Sequence, residues 1–268
     1  MPELPDVERF RRVLEHAAGR RIGDVEVRDP GVLRQLSARR LDRALVGHCL
    51  GTPRRHGKWL IAPVREPQAR HRRDEPSLAF HFGMTGELVW SGEDSAPPHR
   101  HDRVVIATAG GELRYRDMRK LQGLRMAATD AHIDELLDAS GPDAATISSA
   151  ELGRRLQRTR RQLKPALMDQ GVVAGLGNLL VDEILWRARV HPTHSTSDLS
   201  GSDVHRIHQR MRTVLRHSMR EGRVLTRASW LTGRRDEQDG RCPRCGTRLR
   251  HITVGGRRSV WCPRCQPS

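Results

Sequence analysis

Four of the five cysteines lie near the C-terminus in two Cys-x-x-Cys pairs, and this pattern strongly constrains the fold. The pairs are Cys242 with Cys245 and Cys262 with Cys265. This spacing is typical of four thiolates that hold one tetrahedral zinc ion. The segment between the pairs alternates around Gly255-Gly256, which predicts a β-hairpin with a tight turn. We therefore expect a C-terminal hairpin with one structural zinc ion; redox-active dithiols are the alternative.

The charge of the chain predicts a polyanionic partner. Lys and Arg total 48 against 32 Asp and Glu, which gives a formal net charge of +16. A balance this basic favours nucleic acid, although a solvated basic surface is the alternative. Aromatic residues make up only 3% of the chain, which disfavours a platform that stacks successive bases of a single strand. Contact with a duplex backbone fits this composition better.

The hydrophobic periodicity changes twice along the chain. After Pro5, apolar residues recur at helical spacing and predict an amphipathic N-terminal helix. Short alternating segments at 22–126 then predict an antiparallel β-sandwich or barrel, interrupted by a mobile polar insertion at 67–76. The period becomes helical from about 131 to 221.

These patterns predict an α+β multidomain protein. Its domains would be an N-terminal helix with an antiparallel β-sandwich or barrel at 1–128, a helical domain at 129–236 and a zinc hairpin at 237–268, and the resemblance described below implies that the helical domain binds DNA. The chain has no run of 18 apolar residues and no secretory signal pattern at its N-terminus. We therefore expect a cytoplasmic protein without a membrane partner.

The residues after the initiator suggest imine chemistry. Removal of Met1 would leave the secondary amine of Pro2 beside the carboxylate of Glu3. An α-amino group has a reference pKa of about 7.7 to 8.0, so a useful neutral fraction can attack an electrophilic sugar carbon near pH 7. The alternative is an ordinary helix start, in which Pro and acidic residues are common.

A Gly-x-Gly turn before an apolar helix completes the pattern. Gly175 and Gly177 permit a tight turn, and Asn178 lies at the helix start, where its amide and backbone N–H groups could hold a phosphate. Together with the N-terminal Pro-Glu and the terminal cysteines, this segment resembles the formamidopyrimidine-DNA glycosylase and endonuclease VIII family of base-excision-repair enzymes. The resemblance covers the whole chain.

The resemblance implies roles for particular residues, which would lie in a β-sandwich, a helix-two-turns-helix domain and the zinc hairpin. Residues 57–60, 82–86 and 117–121 match family segments that assist catalysis or fill the gap left by an everted nucleotide. The implied catalytic residues are the nucleophile Pro2, the proton donor Glu3, and Lys58. The implied DNA-binding residues are Met84, Arg119, Leu121, Lys164, Asn178 and Arg257, with Arg258 as an alternative to Arg257.

The implied activity is that of a bifunctional DNA glycosylase and AP lyase. It would remove oxidised or ring-opened bases from damaged double-stranded DNA through a Pro2 Schiff base and β/δ-elimination, as a monomer associated with a bacterial nucleoid. Asp6 replaces the usual glutamate and shortens a carboxylate near the active site. The tract 226–242 is shorter than in typical formamidopyrimidine enzymes, and this second difference favours oxidised pyrimidines slightly. The alternatives are a catalytically silent damaged-DNA-binding protein, and an AP lyase or a glycosylase for bulky lesions.

Overall fold

The computed structural model describes residues 1–67, 74–92 and 97–267. The polar insertion expected at 67–76 falls mostly outside the described residues. The chain forms two compact units: Met1–Pro2 with Val7–Asp138, and Glu3–Asp6 with Ala139–Ser268. No helix in the described part of the chain is long and apolar enough to cross a membrane.

The first unit is an antiparallel β-sandwich, as the alternating segments predict. Its strands are β1 (Ile22–Val27), β2 (Cys49–Leu50), β3 (Arg54–His56), β4 (Trp59–Arg65), β5 (Ser77–His81), β6 (Glu87–Ser91), β7 (Asp102–Thr108), β8 (Gly111–Arg116) and β9 (Leu124–Ala127). One sheet has the strand order β1-β7-β8-β6, and the other has the order β2-β4-β5-β9 with β3 paired to β4. Residues from both sheets share one apolar core, which also receives Val7, Phe10 and Leu14 of helix α1 (Leu4–Glu15). The N-terminal helix therefore closes the sandwich core.

Two further helices belong to the first unit. They are α2 (Ala38–Leu45), which buries Leu41 and Leu45, and α3 (Asp130–Asp138). Ile133 of α3 packs on Ile61 and Ala79 on the outer face of the second sheet. This contact places α3 with the sandwich, whereas the expected boundary at 128/129 would assign it to the helical domain. The three-domain division stays a prediction.

The second unit is helical and ends in the hairpin. Its helices are α4 (Ser149–Thr159), α5 (Leu163–Met168), α6 (Asn178–Ala188) and α7 (Gly201–Glu221). Helix α7 begins with a capping box between Ser200 and Asp203 and ends at Gly222 in the left-handed conformation. Helix α6 is buried along most of its length, which explains why its sequence is apolar on nearly all sides.

The C-terminal strands β10 (Arg250–Val254) and β11 (Arg257–Trp261) form the expected hairpin. Its turn residues Gly255 and Gly256 have φ angles of 57° and 71°, the region a two-residue hairpin turn requires. A Cβ at Gly255 would lie 2.8 Å from Cγ of Pro165. Glycine therefore permits both the turn and its close approach to α5.

Candidate active site and nucleic-acid interface

Glu3 is fixed at the N-terminus of helix α6. Its Oε1 accepts a hydrogen bond of 2.8 Å from the backbone N–H of Leu179, and its Oε2 accepts one of 3.0 Å from Leu180. The helix has no side-chain cap of its own, because Gly177 stands at its N-cap position. The carboxylate of Glu3 satisfies two otherwise orphan donors and lies at the positive end of the helix dipole. Glu3 is 1% exposed. The cap of α6 is therefore a buried side chain that comes from the N-terminal end of the sequence.

The Gly-x-Gly turn makes room for this contact. A Cβ at Gly177 would lie 2.3 Å from the carboxyl carbon of Glu3, and one at Gly175 would lie 2.6 Å from Cδ1 of Leu4. Gly175 also has a φ of 108° and accepts a hydrogen bond of 3.0 Å from the Leu4 N–H. Both glycines are therefore required by the close approach of residues 3–4. The sequence predicts that N–H groups at this helix start hold a phosphate, but in the structure those of Leu179 and Leu180 donate to Glu3 instead.

Asp6 has a structural role at the start of helix α1. Its Oδ2 accepts a hydrogen bond of 2.8 Å from the backbone N–H of Glu3, and its own N–H donates to the Glu3 carbonyl at 2.9 Å. Glu3 thus stands where α1 begins and where α6 begins. The shorter carboxylate noted in the sequence therefore still fixes the backbone of Glu3. Pro2 precedes this anchored residue and is half-buried.

Lys58 lies in the turn between β3 and β4, beside His81 in the first unit. His81 ends β5, pairs with Trp59 across the sheet, and packs edge-on against its indole at 4.7 Å between ring centroids. Burial, together with the positive charges of Lys58 and Arg125, lowers the pKa of His81 to about 4. The Gly83 N–H donates to Nδ1 of His81 at 3.1 Å, so the neutral ring carries its proton on Nε2.

The structure brings Met84 and Arg119 together. The guanidinium of Arg119 lies 3.0 Å from the Met84 sulfur. The Arg119 N–H donates to Thr85 Oγ1 and to Asp117 Oδ1, each at 3.0 Å, and the Thr85 hydroxyl donates to the same Asp117 oxygen at 2.5 Å. Asp117 is buried, so one carboxylate connects the 82–86 turn to the 117–121 loop. The predicted gap-filling residues are therefore held by a shared network.

Leu121 lies in the same loop and is strongly exposed. It is 48% exposed and Met118 is 54% exposed, among the few large apolar side chains on the described surface. Lys120 between them has a φ of 53°, its ammonium binds Asp29 at 2.8 Å, and its carbonyl accepts from Arg34 at 2.5 Å. A restrained loop that exposes apolar side chains fits a wedge that enters a base stack.

Lys164 lies in a buried ion network instead of on the surface. It is 0% exposed, and its ammonium donates to Oδ1 of Asp182 at 2.6 Å and to the Arg258 carbonyl at 3.2 Å. Arg235 binds the other Asp182 oxygen at 2.7 Å, and the Val260 N–H donates to that oxygen at 3.2 Å. Burial lowers the pKa of Lys164 and raises that of Asp182, and their mutual attraction opposes both shifts. The network joins strand β11 to helices α5 and α6.

The hairpin presents Arg257 rather than Arg258. The Arg258 guanidinium bonds to Oδ1 of Asp236, to the Arg235 carbonyl and to the His251 ring. Arg257 is exposed, and no partner of its guanidinium occurs among the described residues. The Arg257 guanidinium therefore fits the predicted phosphate contact better than that of Arg258, and the contact itself stays a prediction. Asn178 is half-buried at the start of α6, and its Oδ1 is buried without a partner in the described part of the chain.

The four cysteines form a cluster that fits zinc. Their sulfur atoms all lie within 4.8 Å of one another, with separations of 3.8 Å for Cys242 to Cys265 and 3.5 Å for Cys245 to Cys262. A tetrahedron with Zn–S bonds of about 2.3 Å has edges of about 3.8 Å. The indole N–H of Trp186 donates to the Cys242 sulfur at 3.3 Å, a contact that orients a metal ligand.

Sequence reasoning missed the buried acids that organise these sites. Asp182 and Glu183 interrupt an otherwise apolar helix segment, and two charges inside such a segment signal buried, paired carboxylates. Asp117 offered no comparable signal, because its role depends on Thr85 from another loop. His81 follows an apolar strand and could equally have been a core residue.

Comparisons with known proteins agree with this arrangement. The model of the formamidopyrimidine-DNA glycosylase N-terminal domain matches residues 1–124, that of the formamidopyrimidine-DNA glycosylase H2TH domain matches 139–229, and that of a zinc finger found in FPG and IleRS matches 240–267. A sandwich, an H2TH unit and a cysteine hairpin in this order define a zinc-finger protein of DNA repair. The chain belongs to the formamidopyrimidine-DNA glycosylase family.

Individual relatives are similar over their whole length. The formamidopyrimidine-DNA glycosylase of Salinispora arenicola is 35% identical and covers 100% of this chain and 96% of its own, and that of Bacillus subtilis is 33% identical with 99% of each covered. A Lactococcus lactis Fpg bound to THF-DNA and an inhibitor has a TM-score of 0.87 at 30% identity, with 100% of both chains covered. The same enzyme bound to DNA with an oxidised pyrimidine gives the same values. The fold class, the family and the general assignment as a DNA-binding repair glycosylase with a metal site are thereby confirmed.

Proposed function

We propose that this protein is a bifunctional DNA glycosylase and AP lyase whose nucleophile is the N-terminal amine of Pro2. The observation that carries this proposal is the anchoring of Glu3, whose side chain binds α6 and whose backbone is capped by Asp6. An anchored residue 3 restricts where the preceding amine can lie. Such positioning is the main requirement for attack on a sugar carbon.

The chemistry proceeds from these two residues. With Met1 removed, the neutral Pro2 amine attacks C1′, and the damaged base leaves with the C1′–N bond pair. The Glu3 carboxylate takes the proton that the Pro2 nitrogen releases and passes it to the ring oxygen of the sugar, so the C1′–O4′ bond breaks and the nitrogen lone pair forms the iminium. The resulting iminium acidifies the C2′ proton, so its removal eliminates the 3′ phosphate. A second elimination expels the 5′ phosphate. Lys58, a cation of the first unit, assists by binding phosphate near the lesion.

DNA binding is assigned to two groups of residues. Met84, Arg119 and Leu121 fill the space of the everted nucleotide, for which an adaptable thioether, a base-facing guanidinium and an apolar wedge are suited. Arg257 and the Asn178 amide bind backbone phosphates. Lys164 was predicted to do the same, but its burial favours a supporting role, in which it holds the backbone of β11.

Structures of a relative and one segment of this chain support the proposed substrate class. Lactococcus lactis Fpg has been solved with DNA that contains Fapy-dG and with DNA that contains an oxidised pyrimidine. In the present protein the short tract 226–242 folds onto α6: Trp230 and Leu231 are buried, and the Thr232 N–H donates to Glu183 at 3.1 Å. A tract held in this way is poorly suited to close over an oxidised purine whose ring system is intact. We therefore propose ring-opened purines and oxidised pyrimidines as substrates.

The remaining assignments are part of the same proposal. One zinc ion, held by Cys242, Cys245, Cys262 and Cys265, supports the hairpin; four thiolates leave no open position for substrate. The protein acts as a cytoplasmic monomer on nucleoid DNA.

Borohydride trapping tests the proposal. Wild type should form a covalent complex with duplexes that contain an abasic site, formamidopyrimidine or dihydrouracil, and Pro2→Gly should reduce its yield at least about 100-fold, since the cyclic secondary amine is lost. Lys58→Arg is the matched control, because it removes the competing primary amine and should still be trapped. Intact mass should show that Met1 is absent.

Two results would contradict the proposal. Retained Met1, or tight DNA binding without any trapped species, would indicate a silent damage-binding protein. Trapping with abasic DNA alone would indicate an AP lyase.

A further inference from the structure

A cationic cavity opens on the outer face of the sheet in the first unit. Its volume is about 690 Å³, within the range of small-molecule sites. Its lining includes Arg34, Arg40, Trp59, His81, Arg125 and His132. Glu135 is the acidic residue of this lining, so the guanidinium groups give the cavity a positive charge.

The cavity has an aromatic wall, Trp59, and an arginine, Arg125, that lacks one hydrogen-bond partner among the described residues. Trp59 is half-buried, and the Arg125 guanidinium lies 5.9 Å from its ring centroid. The Nε of Arg125 is buried and has no hydrogen-bond partner among the described residues. A buried N–H without a partner is costly, and an anionic oxygen would satisfy it.

The backbone around the cavity is also constrained. Gln35 lines the rim with a φ of 54°, a conformation that non-glycine residues adopt rarely and that is frequent at functional sites. The neighbouring Arg34 donates to the carbonyls of Lys120 and Gln122 at 2.5 and 3.3 Å. The rim is therefore tied to the loop that carries Arg119 and Leu121.

The cavity adjoins the gap-filling residues on two sides. His81 immediately precedes the turn that carries Met84, and Gln122 immediately follows Leu121. His81 is neutral near pH 7 with its proton on Nε2, so it offers a donor to a phosphate without adding a charge. A DNA strand that contacts these gap-filling residues would therefore pass close to the cavity.

We propose that this cavity is a nucleotide subsite, which holds the phosphate of one DNA nucleotide on its arginines while the base packs against Trp59. Arginine binds phosphate oxygens through a planar fork, and base-aromatic contact tolerates any sequence. The subsite thus increases the affinity for DNA beside the wedge without selecting a particular base. It rests on the proposed function only in its choice of DNA as the source of the nucleotide.

Two neighbouring arginines provide a matched test. Arg40 lines the cavity, and Arg39 precedes it on α2 and does not; both are exposed in the first helical turn. Arg39→Glu and Arg40→Glu change the net charge equally, and an acid in a first turn suits the helix dipole. We would measure Kd for a duplex with an abasic analogue by fluorescence anisotropy over a range of NaCl, and confirm each fold by thermal unfolding.

The subsite predicts unequal results. Arg40→Glu should weaken binding about tenfold and reduce the slope of log K against log salt by about one, while Arg39→Glu weakens binding less than about threefold. Arg125→Gln should follow Arg40→Glu. Equal losses in the two glutamate variants would overturn the subsite, because general electrostatics would then explain them.

A second measurement distinguishes the source of the nucleotide. Saturation-transfer NMR with dAMP should detect binding to wild type and its loss in Arg125→Gln. Loss of dAMP binding with unchanged DNA affinity would overturn the assignment to a DNA strand and indicate a free nucleotide. Because these readouts need no chemistry, they decide the subsite even if wild type yields no trapped complex.

Discussion

The loop at 117–121 and the network around Asp182 use buried carboxylates for opposite purposes. In the loop, Asp117 holds backbone and hydroxyl donors so that Leu121 and Arg119 can remain outside the core. Around Asp182, Lys164 and Arg235 are themselves buried and connect a strand to two helices. The loop arrangement leaves Arg119 and Leu121 accessible to a binding partner, whereas the Asp182 network keeps its charged side chains away from the surface. Exposed loop residues should therefore affect DNA binding, and buried network residues should affect folding.

Asp182→Ala should cause the largest loss of stability. It would leave Lys164 and Arg235 buried without their shared carboxylate, and breaking a buried pair costs about 3–5 kcal/mol. Urea unfolding of the zinc-loaded protein would measure this change. Asp203→Ala, which removes one half of the capping box at the start of α7, is the control and should cost about 1 kcal/mol. Equal losses in the two variants would mean that the buried network stabilises the fold no more than an ordinary helix cap does.

Gly177→Ala should have the next largest effect. The new Cβ would overlap the Glu3 carboxylate, and such overpacking typically costs about 1–3 kcal/mol. The displacement of Glu3 should also reduce base excision more than it reduces DNA affinity. Gly201→Ala is a suitable control, since a Cβ at that position meets nothing within 4 Å. Unchanged excision by Gly177→Ala would contradict the anchoring role of Glu3.

His81 should make the free energy of unfolding depend on pH. Its folded pKa of about 4 lies below the ordinary histidine pKa of 6.5, so the unfolded state binds the proton first as pH falls. The stability that this residue contributes is fully present above its unfolded pKa and is lost between pH 6.5 and 4, by about 2.6 kcal/mol at pH 4.5. His81→Gln should reduce the fall in unfolding free energy between pH 7 and 4.5 by that amount. An identical fall in both proteins would contradict the burial of a neutral His81.

Local patterns predicted the elements but not the contacts that join them. The cysteine spacing and the Gly255-Gly256 pair indicated the hairpin, because metal ligands and tight turns depend on neighbours in sequence. The Gly175-x-Gly177 turn was recognised, yet its reason lies in Glu3 and Leu4, at the other end of the chain. Likewise, the resemblance implies that Lys164 binds a phosphate, whereas in the structure its ammonium donates to the Asp182 carboxylate and to the Arg258 carbonyl. Long-range pairing of this kind has no local signature.

The smallest effect on stability, and the sharpest separation of binding from folding, is expected for Leu121→Ala. Leu121 is exposed, so its truncation should change the unfolding free energy by less than about 0.5 kcal/mol. As a wedge, however, it offsets the unstacking of a base step, and its loss should reduce excision from duplex DNA about tenfold. Met118→Ala is the matched control, because Met118 is equally exposed in the same loop and is assigned no contact with the gap. Equal losses of excision would show that general apolar contact, rather than a wedge at residue 121, explains the exposed loop.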